Sequence, residues 1–172
     1  MSVVYTIGYE STDIDRFVRT LSLAGIQVLA DVRAVTVSRK KGFSKTKLAE
    51  RLNAEGIEYR HFRELGDPKP GREAARAGDF RKFREIYGAH FSRIESQTDL
   101  TNLIEIVARF PTALLCYEFD PKNCHRSIVA DAIRNDLGST VQNLFADEPD
   151  RYVRNASKLP RYYPCEGSTA AE

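Results

Sequence analysis

Apolar positions along this chain change period several times, and each change predicts an element. Val3 to Ile7 is a short β-branched run ended by Gly8, the pattern of a buried strand. Ile14, Phe17, Val18 and Leu21 then recur at helical spacing. Thr12 is placed to cap that helix, Asp13 and Asp15 lie in its first turn, and Gly25 closes it. Ile26 to Val32 is a second apolar strand, so the chain opens with a strand–helix–strand unit whose strands are parallel.

Residues Arg33 to Phe43 then form a polar loop. Ser44 is placed to cap a helix carrying Leu48 and Leu52 and stopped by Gly56, and Ile57 to Phe62 is a third strand. Leu65 to Gly78, with Pro68 and Pro70, reads as a turn-rich linker. Two helices are expected over Asp79 to Ile94 and Asp99 to Arg109, the second broken by Pro111. Thr112 to Cys116 is apolar enough for a central strand. A loop from Glu118 to Asn123 leads into a helix over His125 to Leu137, and Thr140 to Phe145 is the last strand. The tail, about residues 147–172, has no clear periodicity.

Strands alternating with helices predict a single α/β domain over 1–172. It is a three-layer fold whose mostly parallel open sheet has helices on both faces. The expected strand order is 3-2-1-4-5. Ligands of such sheets sit at the carboxyl ends of strands, where neighbouring connections leave on opposite faces.

Composition narrows the classes. With 42% hydrophobic and 29% charged residues the chain is globular in character, and it lacks both an apolar run long enough to span a bilayer and a secretory leader. Three cysteines are an odd number in a chain large enough not to need staples, which points to free thiols and a cytoplasmic setting. The net charge of +2 is too small to mark a nucleic-acid binder, but Arg33, Arg39, Lys40, Lys41, Lys45, Lys47 and Arg51 concentrate basic charge with only Glu50 among them.

The reactive residue types gather at predicted strand ends. Tyr9 and Glu10 follow strand one, Asp31 and Arg33 end strand two with Ser38 and Arg39 beyond, and Cys116 and Glu118 end strand four. Cys124, His125 and Arg126 open a helix, where free backbone N–H groups favour anions and lower a cysteine pKa. Glu10, Asp31, Glu118, Cys124 and His125 are therefore the candidate catalytic groups. Tyr9, Arg33, Ser38, Arg39, Lys45 and Arg126 are the candidate substrate or anion contacts.

Other motifs fail. The residue six after Cys116 is Lys122, not the arginine of a tyrosine-phosphatase loop, and Glu118 and Asp120 would repel phosphate there. Cys116, Cys124 and His125 have a C-x7-C-H spacing that matches no familiar zinc knuckle, and vicinal Cys124 and His125 are awkward ligands for one tetrahedral ion. No metal ligands are assigned from sequence, although carboxylates of this kind can hold Mg²⁺. Neither a GxGxxG nor a Walker loop is present.

Five segments in order resemble the domain of unknown function 488 family: TIGYE at Thr6 to Glu10, DVR at Asp31 to Arg33, SRKKGFSK at Ser38 to Lys45, LGDPK at Leu65 to Lys69, and CYEFDPKNCHR at Cys116 to Arg126. One departure is Thr36, where members usually carry a proline. The resemblance implies a three-layer α/β fold with these motifs around one pocket, and implies no activity.

Three functions are weighed. The favoured one is an enzyme, a hydrolase or transferase, acting on a phosphate-bearing substrate such as a nucleotide or nucleic acid. The alternatives are a non-catalytic nucleic-acid-binding module using the basic loop with Phe43 and Tyr59, and a thiol or redox protein using Cys124. No cofactor is required by any of them.

Overall fold

The computed structural model describes residues 2–154. Five parallel strands form one sheet: β1 (Val3–Gly8), β2 (Val28–Asp31), β3 (Glu58–His61), β4 (Thr112–Cys116) and β5 (Thr140–Leu144). Among the described residues seven α-helices accompany them: α1 (Ile14–Leu23), α2 (Lys45–Asn53), α3 (Lys69–Arg76), α4 (Phe80–Phe91), α5 (Ile94–Val107), α6 (His125–Leu137) and α7 (Asp150–Arg154). The α/β class and the helices on both faces are as the sequence predicts.

The strand order is β3-β2-β4-β1-β5, which corrects the expected 3-2-1-4-5. That expectation paired consecutive strands β1 and β2, a common arrangement but not an obligatory one. Instead β4, buried at all five positions, inserts between them and is hydrogen-bonded on both edges. The half-exposed β3 and β5 take the sheet margins.

Parallel strands need crossovers, and right-handed crossovers fix which face each helix covers. From β1 to β2 to β3 the chain steps one way along the sheet, and from β3 to β4 to β5 it steps back. Accordingly Phe17, Leu21, Leu48 and Leu52 of α1 and α2 pack with Tyr5, Ile7 and Leu115 on one face. Ala74, Phe83, Leu103 and Val129, from α3 to α6, pack with Val4, Ala30 and Leu114 on the other.

Local differences have physical causes. Asp13, not Thr12, caps α1 by accepting from the Arg16 amide, while the Thr12 hydroxyl donates to the Ala146 carbonyl. Ser44 holds the N-cap position of α2, but its hydroxyl is hydrogen-bonded to Ser38. The expected linker over Leu65 to Gly78 contains α3. Pro70 lies in its first turn, where a missing N–H costs no helical bond. Helix α5 begins at Ile94, five residues before the expected Asp99. In the expected tail, α7 is formed, and residues 155–172 lie outside the described residues. Among the described residues no helix is long and apolar enough to cross a membrane.

Candidate functional site

Strand register brings the predicted motifs to one edge. Gly8 pairs with Cys116 across β1 and β4, and Asp31 pairs with Leu115 across β2 and β4. The chain leaves β1 and β2 toward α1 and α2 on one face, and leaves β4 toward α6 on the other. A crevice therefore opens at the end of β4. There lies a cleft of about 540 Å³, whose lining includes Tyr9, Arg33, Ser38, Arg39, Glu118 and His125 from the sequence-derived set. Cys116, Asp67, Arg72, Arg76, Tyr117 and Phe80 join them.

The loops after β1 and β4 are laced together. The Tyr9 and Glu10 amides donate to the Tyr117 carbonyl at 3.1 and 2.9 Å, and the Phe119 amide donates to Glu10 Oε2 at 2.8 Å. Gly8 permits this approach, since a Cβ there would lie 1.8 Å from the Glu118 carbonyl oxygen. Glu10 is thus an exposed loop tie that does not line the cleft.

The cleft floor holds sulfur, imidazole and carboxyl. The Cys116 Sγ lies 3.0 Å from Glu118 Oε2 and 3.7 Å from His125 Nδ1, and Cys124 Sγ lies 3.9 Å from the same Nδ1. His125 Nε2 lies 2.7 Å from the Val32 carbonyl oxygen, so this nitrogen carries a hydrogen and Nδ1 faces the thiols. Cys124 occupies the N-cap of α6 with extended backbone, and its sulfur accepts from the Arg126 amide. It is buried and is not part of the cleft lining.

Burial and mutual charge shift these groups. Burial pushes the Glu118 carboxyl up to about 7, the Cys124 charge adds to the rise, and the Cys116 hydrogen bond opposes it. Burial pushes the Cys116 thiol up as well, reinforced by Cys124 and Glu118. For Cys124, burial opposes ionisation. The Cys116 hydrogen bond, His125 and Arg126 outweigh it and hold the thiol well below its ordinary range. Burial likewise works against a charged His125, but the Cys124 charge and hydrogen bond and the Val32 carbonyl bring its pKa to about 9.

Four sequence-derived candidates, Asp31, Arg33, Tyr9 and Arg126, make structural contacts. Asp31 is fully buried and accepts from Arg33 Nε and Nη2 at 2.9 and 2.7 Å, from the Arg33 amide at 3.1 Å and from the Tyr59 hydroxyl at 2.5 Å. The Arg33 guanidinium also donates to the Phe43 carbonyl and the Tyr9 hydroxyl. Tyr9 stacks on Phe43, with ring centroids 4.4 Å apart. Arg126 is fully buried and donates to the Glu118 and Phe119 carbonyls at 2.5 and 3.2 Å, so it clamps the loop that carries Glu118. Lys45 is exposed at the start of α2, outside the cleft lining.

Asp67, Arg72 and Arg76 were not among the sequence-derived site residues. Asp67 is buried, its Oδ1 has no hydrogen-bond partner among the described residues, and burial raises its pKa to about 6. Glycine at 71 leaves it room, for a Cβ there would lie 2.0 Å from Oδ1. Arg72 donates to the Asp67 carbonyl at 2.7 Å, and Arg76 follows one helical turn later on α3. The four-residue spacing of the two arginines was the available signal, legible only once this segment is seen to be helical.

A family model described as "Domain of unknown function DUF488" matches residues 13–133. No curated protein and no solved structure matches the chain. The match spans α1 to α6 except the last residues of α6, and it takes in the cleft floor, the α3 arginines and the Asp31–Arg33 pair. On the extent of that match, the chain belongs to the DUF488 family.

Proposed function

We propose that this protein is an enzyme acting on a phosphate-bearing small molecule held in the cleft at the end of β4. One observation carries the reading: three arginines, Arg39, Arg72 and Arg76, share a single cleft with Glu118, His125 and Cys116. Arg39 and Arg76 form no ion pair among the described residues, so their charge is free for an anion. Glu118 offers an acid–base group beside the bound anion. A reducing, cytoplasmic setting accords with the free thiols of Cys116 and Cys124.

Two features favour a small phosphate ester, such as a nucleotide, over an extended nucleic acid. A volume of about 540 Å³ suits a ligand of that size. Much of the basic segment is also engaged within the protein. Lys40 Nζ donates to the Tyr9 and Glu10 carbonyls, Lys47 pairs with Glu50, and Arg51 pairs with Asp15 and Glu55.

The test is calorimetric titration with inorganic phosphate and a nucleoside monophosphate, followed by a turnover screen on phosphate esters. Replacing Arg39, Arg72 and Arg76 by alanine, singly, should weaken binding by about tenfold or more each, as expected for charged hydrogen bonds. Glu118→Gln should lower turnover while leaving phosphate affinity within a few-fold. Normal phosphate binding by the triple alanine variant would refute the reading.

A further inference from the structure

We propose that Cys116, Cys124 and His125 bind a zinc-like divalent ion whose fourth coordination position opens to the cleft beside Glu118. Among the described residues they are the one group of three whose ligand atoms all lie within 4.8 Å of one another. A tetrahedral ion with ordinary zinc–sulfur and zinc–nitrogen bonds sets its ligand atoms roughly 3.6–3.8 Å apart. The observed sulfur–nitrogen separations are 3.7 and 3.9 Å. The vicinal pair, awkward on sequence grounds, is workable for a backbone reason. Cys124 is extended (φ −135°, ψ 141°) and His125 begins the helix, which turns both side chains to the same point.

The surroundings orient the donors. Val32 fixes the hydrogen on Nε2, so a neutral His125 presents the Nδ1 lone pair to the two sulfurs, the arrangement of metal-bound histidines. The Tyr87 ring lies 5.3 Å from the imidazole and steadies it. The Arg126 amide donates to Cys124 and supports its thiolate. Thiolates with imidazole select a soft or borderline ion such as zinc over Mg²⁺. Cys116, His125 and Glu118 line the cleft and Cys124 does not, so the open position is assigned to the substrate side. Three protein ligands with one open position is the form of a catalytic zinc site. An ion there would bind water or a phosphate oxygen, an outcome distinct from anion capture by the arginines.

The experiment titrates the full-length, reduced, chelator-stripped protein with Co²⁺ and then Zn²⁺. One Co²⁺ per chain should bind with thiolate charge-transfer absorption and the visible bands of a tetrahedral centre, and Zn²⁺ should displace it. Zn²⁺ should also protect Cys116 and Cys124 of the unaltered protein from alkylation, a readout that depends on no variant folding. Cys116→Ser and Cys124→Ser should each weaken binding by about a hundredfold or more, beyond the loss of an outer-shell partner, while the same change at the third cysteine of the sequence, Cys165→Ser, should not. Absence of the thiolate band in the reduced protein would overturn the proposal, as would loss of Co²⁺ binding on Cys165→Ser. So would alkylation of Cys116 and Cys124 at the same rate with and without Zn²⁺. The Arg39, Arg72 and Arg76 triple alanine variant should keep its Co²⁺ spectrum, so failure of the phosphate reading leaves the metal reading separately testable.

Discussion

Asp31→Asn separates a structural carboxylate from a catalytic one. Four donors converge on Asp31: the Arg33 amide, Nε and Nη2, and the Tyr59 hydroxyl. Burial and the Asp31 charge both raise the Tyr59 pKa, which keeps that hydroxyl a neutral donor. Asparagine preserves the shape but removes the charge and turns N–H groups toward groups that donate. Arg33, only 5% exposed, would then be a buried cation without its counter-ion. Breaking a buried pair from one side costs about 3–5 kcal/mol, a large share of the roughly 5–15 kcal/mol that holds a domain together. With a urea m-value of about 2 kcal/mol/M, the midpoint should fall by about 1.5–2.5 M. Urea titration followed by tyrosine fluorescence measures it, since the chain has no tryptophan. Phosphate affinity of the folded fraction should match the parent. A variant as stable as the parent that had lost phosphate binding would make Asp31 a ligand group and refute this reasoning.

Asp67 gives a pH signature. Its folded pKa, about 6, lies above the ordinary 3.8, so its favourable contribution is present below about pH 4 and lost as pH rises through 6. Arg72, His125 and Cys124 are the charged groups around it. Asp67→Asn should therefore gain on the parent between pH 4 and pH 7.5 in chelator-treated denaturation curves, and a gap that did not change with pH would contradict this. Gly8→Ala should cost at least about 2 kcal/mol in the same assay, because the new methyl meets the Glu118 backbone; a loss under 1 kcal/mol would mean the loop yields freely. Arg126→Lys should cost about 1.5–3 kcal/mol through its carbonyl contacts and leave phosphate affinity unchanged, whereas selective loss of binding would restore Arg126 as an anion contact.

How much of this was legible depended on the scale of the interaction. Uniform burial marks β4 as central from its residues alone, because a strand covered on both faces has no polar positions to spare. Which strand lies beside it is a long-range matter, and adjacency in sequence misplaced β1 against β2. The edge where the motifs meet follows from parallel strands, and Tyr9, Arg33, Glu118 and His125 line one cleft there. Direction of side chains did not follow. Asp31 and Arg126 have the composition of a site and the contacts of a scaffold, and only distances separate those. Asp67, Arg72 and Arg76 were hidden by two prolines, which read as a turn although one of them opens a helix.

The late arrival of β4 has a consequence for how the chain is made. Val4 finds its partners at Thr112 and Val141, and β2 is joined to β1 only through the late strand β4. A nascent chain emerging from the ribosome therefore holds β1 with both edges open, alongside the β2–β3 pair, until Thr112 to Cys116 has been synthesised. Such pairing over long sequence separation slows folding and prolongs exposure of apolar edges. The segment matched by the family model, residues 13–133, omits both β1 and β5 and would leave one edge of β4 bare. Expressed alone, that segment is a candidate for aggregation rather than a minimal domain, and the first strand is as much a part of the folding unit as the cleft it supports.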